Sequence, residues 1–152
     1  MRIFIIDTNV VFSCFLNSQG KIGDLVLNSR DCFVYYAPAY LRLEIEKHKE
    51  KIKEISGFDD LEIAELSAII FSRIKFINER IIPFETWMKS SRIIRDVDGD
   101  DIAFLAASIH MDEDLWTSDK RLYKGLKSKG YDKLITTDEL YQLRDKIRKD
   151  KK

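Results

Sequence analysis

Two rhythms of apolar residues run along the chain. Ile3, Phe4, Ile5 and Ile6 form an unbroken apolar run with no polar alternation, the pattern of a short strand covered on both faces. Comparable strand candidates are Arg2–Ile6, Phe33–Tyr36, Arg80–Ile82, Asp114–Thr117 and Lys133–Ile135. Helical spacing fills the intervals between them. Strands alternating with helices predict an α/β fold, a central parallel sheet of about five strands with helices on both faces.

Pro38 suits the first turn of a helix running through AYLRLEIEKHKEKIKEI as far as Ser56 and Gly57. Its apolar stripe is Leu41, Ile45, Ile52 and Ile55, with His48 in line. Asp59 or Asp60 can cap the following segment, Leu61–Ile77, whose apolar residues point in nearly every direction around a helix axis. A helix apolar all round in a small domain needs a second covering surface, so a homodimer contact is expected here. IAFLAASIHM reads as a helix of small and apolar residues packed closely on the sheet. Thr136, Thr137 or Asp138 can cap a last helix. Residues 1–145 read as a single domain and 146–152 as a basic, solvated C-terminal tail.

Composition narrows the class. A chain of 152 residues with 45% hydrophobic residues is a globular domain of ordinary size, not a disordered segment. Lys plus Arg and Asp plus Glu number 26 each, so net charge does not single out a polyanionic partner, although a local patch would suffice. Abundant Lys, Glu and Ile, with Gln only at 19 and 142, resemble the bias of heat-adapted proteins. Cys14 and Cys32 lack CxxC spacing and read as buried free thiols; His48 and His110 show no metal-ligand spacing. No secretory leader or membrane span is visible, so the expected compartment is the cytoplasm.

The acids add chemistry to this outline. Asp7 ends the first strand, Asp98, Asp100 and Asp101 precede IAFLAAS, and Asp119 follows DLWTS. Each alone is explained by helix capping. Three carboxylates within four positions exceed what a cap needs, and they repel unless a cation offsets them. An EF-hand is excluded, because its sixth position holds Asp101 instead of Gly and its twelfth Ala107 instead of Glu. Glu44 lies roughly −60° around the helix from Leu41, at the margin of the apolar stripe. Asp7, Asp101 and Asp119 can all converge at the carboxyl edge of a parallel sheet, where ligands bind in such folds. Hard oxygen donors without His or thiolate suit Mg²⁺ or Mn²⁺. Such an ion lowers the pKa of a water and stabilises charge on a phosphoryl group, which points to phosphodiester hydrolysis.

The order hhhhDTNV, a helical Glu, DxDDxxFLAxA and WTSDKRL resembles the PIN domain family of metal-dependent ribonucleases, from Arg2 to about Leu143. The resemblance implies a three-layer α/β/α fold, with Asp7, Glu44, Asp101 and Asp119 as the four acidic positions and Asp98 and Asp100 as further acids. Gly99 stands where the family often has Pro. It also implies an RNA substrate, frequent dimerisation and, for VapC-type toxins, an antitoxin protein that blocks the site. On this reading Asp7, Asp101 and Asp119 bind Mg²⁺ or Mn²⁺, while Glu44 holds a second ion or orients water. Thr8, Asn9, Thr117 and Ser118 would fix the carboxylates. Lys120 and Arg121 would contact phosphate or else form a solvated helix start.

Two rivals remain at this point. An Asp-nucleophile phosphatase would want a second acid two residues after the first, where this chain has Asn9. A non-catalytic nucleic-acid-binding module of the same fold would tolerate an incomplete acidic set, whereas here all four positions are filled. A nucleotide-binding loop of the GxGxxG or GxxxxGK[ST] type is absent.

Overall fold

The computed structural model describes residues 1–151. Five parallel strands form one sheet: β1 (Arg2–Ile6), β2 (Phe33–Pro38), β3 (Ile74–Ile77), β4 (Asp114–Trp116) and β5 (Leu134–Ile135), in the order β3-β2-β1-β4-β5. The helices are α1 (Thr8–Leu16), α2 (Lys21–Leu27), α3 (Tyr40–Lys47), α4 (Lys49–Ser56), α5 (Asp60–Ser72), α6 (Phe84–Ile94), α7 (Ile102–Met111), α8 (Lys120–Ser128) and α9 (Thr137–Asp150). The expected three-layer α/β/α architecture is therefore present.

β1 lies at the centre because its Phe4, Ile5 and Ile6 can be buried on both sides, and all three are fully buried. On one face α7 rests on β1, β2 and β4, α6 packs on α7, and α8 meets α6. The small Ala103, Ala106, Ala107 and Ser108 allow this approach. The opposite face carries α2 and α9, tied to the sheet by polar atoms of aromatic residues. Tyr35 donates to the Leu25 carbonyl at 2.7 Å, and Trp116 Nε1 donates to Thr137 at 3.1 Å. These bonds satisfy the polar ends of side chains whose rings belong to the core.

The chain turns one way from β1 to β2 and β3, and the other way from β1 to β4 and β5. The crevice between the carboxyl ends of β1 and β4 is the topological switch point, where doubly wound sheets bind ligands. Gly125 helps close that end of the molecule. A Cβ there would stand 2.4 Å from Val97 Cγ1, so glycine lets α8 approach the turn that carries Asp98.

Four local expectations are corrected. The strand expected at Arg80–Ile82 is a 3-10 turn, Glu79–Ile81, capped by Asn78, whose side chain accepts from the Arg80 amide. The sheet's outer strand is instead Ile74–Ile77, from the end of the segment read as one long helix. That segment reads as apolar all round because it joins a strand to a helix that buries Ile63 and Ile70 but leaves Leu61 and Ile69 exposed. The Ser72 hydroxyl bonds back to the Ile69 carbonyl at the helix end, and the β-branched and aromatic residues beyond pair with β2. Pro38 ends β2, whose carboxyl end pairs with Ile77 of β3, and so it precedes the helix. The helix expected up to Gly57 is two, α3 and α4, separated at His48. Ile55 then falls outside the core at 55% exposure. Gly57, at φ 77°, closes α4 in the left-handed conformation.

Asp59 is the residue that caps α5, in a reciprocal capping box with Glu62, and Thr136 caps α9 in the same way with Glu139. The segment read as a basic tail is helical through Asp150. Arg148 makes two bonds to the Asp31 carboxylate, and Lys151 reaches the Asp31 carbonyl.

Candidate active site

Asp7 and Asp119 reach the crevice by one local device, the cap after a strand, and Asp101 and Asp98 by another. Asp7 follows β1 in extended conformation and caps α1: its Oδ1 accepts from the Val10 amide at 3.0 Å. Its Oδ2 is buried without a hydrogen-bond partner. Capping therefore occupies one oxygen of Asp7 and leaves the other free. Asp119 follows β4 and caps α8, its Oδ1 accepting from the Arg121 and Leu122 amides at 2.9 and 3.3 Å. Its Oδ2 accepts from Asn9 Nδ2 at 3.5 Å. Asp101 sits at the start of α7 but makes no side-chain cap bond, so capping does not explain it. Asp98 shapes the preceding turn by accepting from the Asp100 amide at 3.1 Å.

One oxygen each from Asp98, Asp101 and Asp119 lies within 4.8 Å of the others. That grouping includes Asp98, expected only as a supporting acid, and three oxygens at this spacing can converge on a single cation. Glu44 comes in from α3, where the Thr8 hydroxyl donates to its Oε1 at 2.6 Å. Thr117 accepts from the Asp119 amide at 3.0 Å, tightening the turn after β4. Thr8, Asn9 and Thr117 thus hold Glu44 and Asp119 in place. Ser118 is half-buried and lines a groove on the Asp119 side, together with exposed Lys120. Arg121 is exposed, and Asp100 lines a different groove beside α3.

Electrostatics shows how closely these groups crowd. Burial pushes the Asp7 carboxyl up to about 7, and the charges of Asp119 and Glu44 add to the effect. The Val10 amide and the nearby Thr117 hydroxyl offset it only in part. Burial also raises Asp101, to about 8, with the charges of Asp7, Asp98 and Glu44 behind it. Five carboxylates therefore sense one another across the crevice, and a divalent cation would relieve both burial and repulsion.

The sequence did not reveal the walls of the site. On the α3 side a groove of about 630 Å³ is lined by Tyr40, Arg42, Leu43, Glu79, Trp87 and Asp100. Glu79 reaches it from the 3-10 turn and accepts from the Tyr40 amide at 2.6 Å. Nothing in the local pattern marks Glu79 or Trp87, because one sits on the 3-10 turn and the other on α6, and only the tertiary fold brings both to a groove shared with α3.

Comparison with known protein families matches the PIN domain (PIN_2) over residues 5–143. The chain belongs to the PIN domain family. The match runs from within β1 into α9 and so includes every acid of the crevice. PIN domains are generally nucleases, and the grouped acids of this PIN domain are suited to the divalent metals that such domains use. No curated protein matches the chain.

Proposed function

We propose that this PIN domain is a metal-dependent endoribonuclease. The observation that carries the reading is the grouping of Asp98, Asp101 and Asp119 beside the unpartnered, buried Oδ2 of Asp7, at the sheet's switch point. An orphaned buried carboxylate oxygen is costly, and an all-oxygen donor set suits Mg²⁺ or Mn²⁺. Asp7, Asp101 and Asp119 would hold the ion, with Asp98 and Glu44 completing its surroundings or holding a second. When bound, the ion supplies charge stabilisation at the phosphoryl group and a more acidic water. Thr8 and Asn9 orient Glu44 and Asp119, and Thr117 fixes the backbone from which Asp119 projects. Lys120 and Arg121, beside Asp119, supply positive charge for the phosphate backbone.

The test is cleavage of end-labelled single-stranded RNA, and of the same sequence as DNA, with Mn²⁺ or Mg²⁺ against EDTA. The expected result is cleavage of RNA that requires metal and is lost in Asp101→Asn. Metal binding without cleavage would instead favour a non-catalytic nucleic-acid-binding module; absence of both would end the metal-site reading. An aspartyl phosphatase is disfavoured by Asn9, whose amide is directed to Asp119.

Two assembly proposals go with this reading. Leu61 and Ile69 stand 67% and 47% exposed on α5, which supports self-association through that helix. Sedimentation should show a dimer at micromolar concentration that Leu61→Glu converts to monomer; a monomeric parent protein would exclude it. The toxin role, with an antitoxin partner, is supported by exposed Leu43 in the α3-side groove and by Phe84 and Met88 on α6, the helix that supplies Trp87 to it. We place the activity in the cytoplasm, a reading supported by the free, buried state of Cys14 and Cys32. Among the described residues no helix is long and apolar enough to cross a membrane.

A further inference from the structure

On the Asp119 side of the crevice, opposite the groove with Trp87, lies a second groove of about 580 Å³. Its volume falls within the roughly 300–1,000 Å³ of pockets that enclose small ligands. Its wall includes Asn17 from the end of α1, Lys21 from α2, Ser118, and Lys120, Tyr123 and Lys124 from α8. Asp119 is part of the same wall, so the groove opens directly beside the grouped acids.

The chemistry of this wall is unlike that of the crevice. Most of its surface is apolar, and Tyr123 supplies an aromatic side chain to its lining. Lys127 stands over that ring, 5.5 Å from its centroid. Lys21 is already neutralised by Asp138 at 2.7 Å. Among the described residues, Lys120 and Lys124 have no ion-pair partner, so two ammonium groups remain for an anion. Lys120 and Lys124 are four residues apart on α8 and so share a face, and Tyr123 lines the same groove. An aromatic side chain beside two unpaired ammonium groups fits a nucleobase with its adjoining phosphates. A base within a duplex is stacked and paired and cannot enter such a groove, whereas a single strand can turn one base outward.

We propose that this groove is a subsite for one unpaired nucleotide of a single-stranded RNA, adjacent to the phosphodiester that lies at the acids. Tyr123 stacks the base, and Lys124 and Lys120 bind the phosphates on either side of it. The proposal rests on the nuclease reading for the identity of the strand but not on any catalytic step. It makes the substrate class an unstructured segment, because the neighbouring nucleotide must leave its stack to be bound.

Binding without turnover tests it. The probe is a fluorescein-labelled eight-nucleotide single-stranded RNA, titrated in EDTA by anisotropy over a series of salt concentrations. Tyr123→Ala should weaken binding roughly 5- to 100-fold, the usual effect of losing one stacked base. Tyr123→Phe should retain it. Lys124→Ala should weaken binding at low salt and make the dependence of log K on log salt shallower by about 0.7, the value for one phosphate contact on a single strand. Lys146→Ala, an exposed change on α9 away from the groove, serves as a charge control and should bind as the unaltered protein does. An RNA hairpin that pairs all eight nucleotides should compete poorly. Unaltered affinity in Tyr123→Ala and Lys124→Ala would overturn the subsite while leaving the nuclease reading to its own metal-dependence test. Absence of oligonucleotide binding by the unaltered protein, or equal competition by the hairpin, would overturn it as well.

Discussion

Asp7→Asn should be both inactive and more stable than the parent protein when metal is absent. The activity loss follows from removing a proposed ligand: groups that merely support a ligand cost about 10- to 100-fold when changed, so cleavage should fall by at least roughly 100-fold. The gain in stability comes from the same atoms. Asn is as good an N-cap as Asp, so the bond to the Val10 amide survives. What disappears is a fully buried carboxylate with one orphaned oxygen and two acidic neighbours.

The pH dependence gives this a sign. Below about 4 the Asp7 carboxyl is protonated in both folded and unfolded chains, and its burial imposes no ionisation penalty. Between there and about 7 the unfolded chain ionises first, so the folded protein binds the extra proton and stability falls as pH rises. Above about 7 the penalty is complete; Asp101, held near 8, extends the decline. Holding a carboxyl three pH units above its free value corresponds to about 4 kcal/mol, and relaxation brings the expected gain to roughly 2–4 kcal/mol. In EDTA at pH 8, Asp7→Asn should therefore melt about 5–10 °C higher, with a flatter profile between pH 4 and 8. Mn²⁺ should raise the melting temperature of the parent protein and have a much smaller effect on the variant. A lower melting temperature for Asp7→Asn in EDTA would show that the carboxylate is stabilising, contrary to the burial argument.

The largest purely structural effect is expected at Arg144→Ala. Arg144 is 3% exposed and clasps α9 to α2: one terminal nitrogen meets the Asp24 carboxylate at 2.5 Å, the other the Ser29 hydroxyl at 3.1 Å. Its guanidinium also lies 4.8 Å from the centroid of the Tyr141 ring. Truncation leaves a cavity and an unpaired Asp24. Breaking a buried pair costs about 3–5 kcal/mol, but the Asp24 side chain is about one-third exposed, so roughly 2–4 kcal/mol is expected. Urea denaturation should show that loss, and Arg144→Lys should recover little of it, because an ammonium cannot span both partners in one plane. A loss below about 0.5 kcal/mol, the range of ordinary surface changes, would mean that α9 is held by its apolar face alone. Cleavage per folded molecule should change little, since Arg144 lies at the α2–α9 contact and not in the crevice.

Both predictions start from charges that the sequence displays and burial that it does not. The run Ile3–Ile6, the small-residue stretch of α7 and the cap at Asp119 were legible because strand, close packing and cap are local properties, whereas the choice of Asp59 over Asp60 and of Thr136 over Thr137 and Asp138 came from the structure. So was the family pattern, which marks Asp7, Glu44, Asp101 and Asp119 and extends along nearly the whole chain. The boundary between α5 and β3 was not legible, because the helix and strand rhythms run on without a Gly or Pro between them. Pairing with β2 decides where one stops. The division of labour among the acids was also hidden. Asp98 reads like Asp100 in sequence, yet Asp98 caps a second 3-10 turn, Gly99–Asp101, and groups with Asp101 and Asp119, while Asp100 lies on the α3 side. The sequence by itself determined the parallel α/β fold and the set of acids, since apolar periodicity and residue type are written position by position. Only the tertiary structure decided which oxygens meet, which are already used by caps and which groove each flank presents, because those depend on contacts between residues up to 120 positions apart.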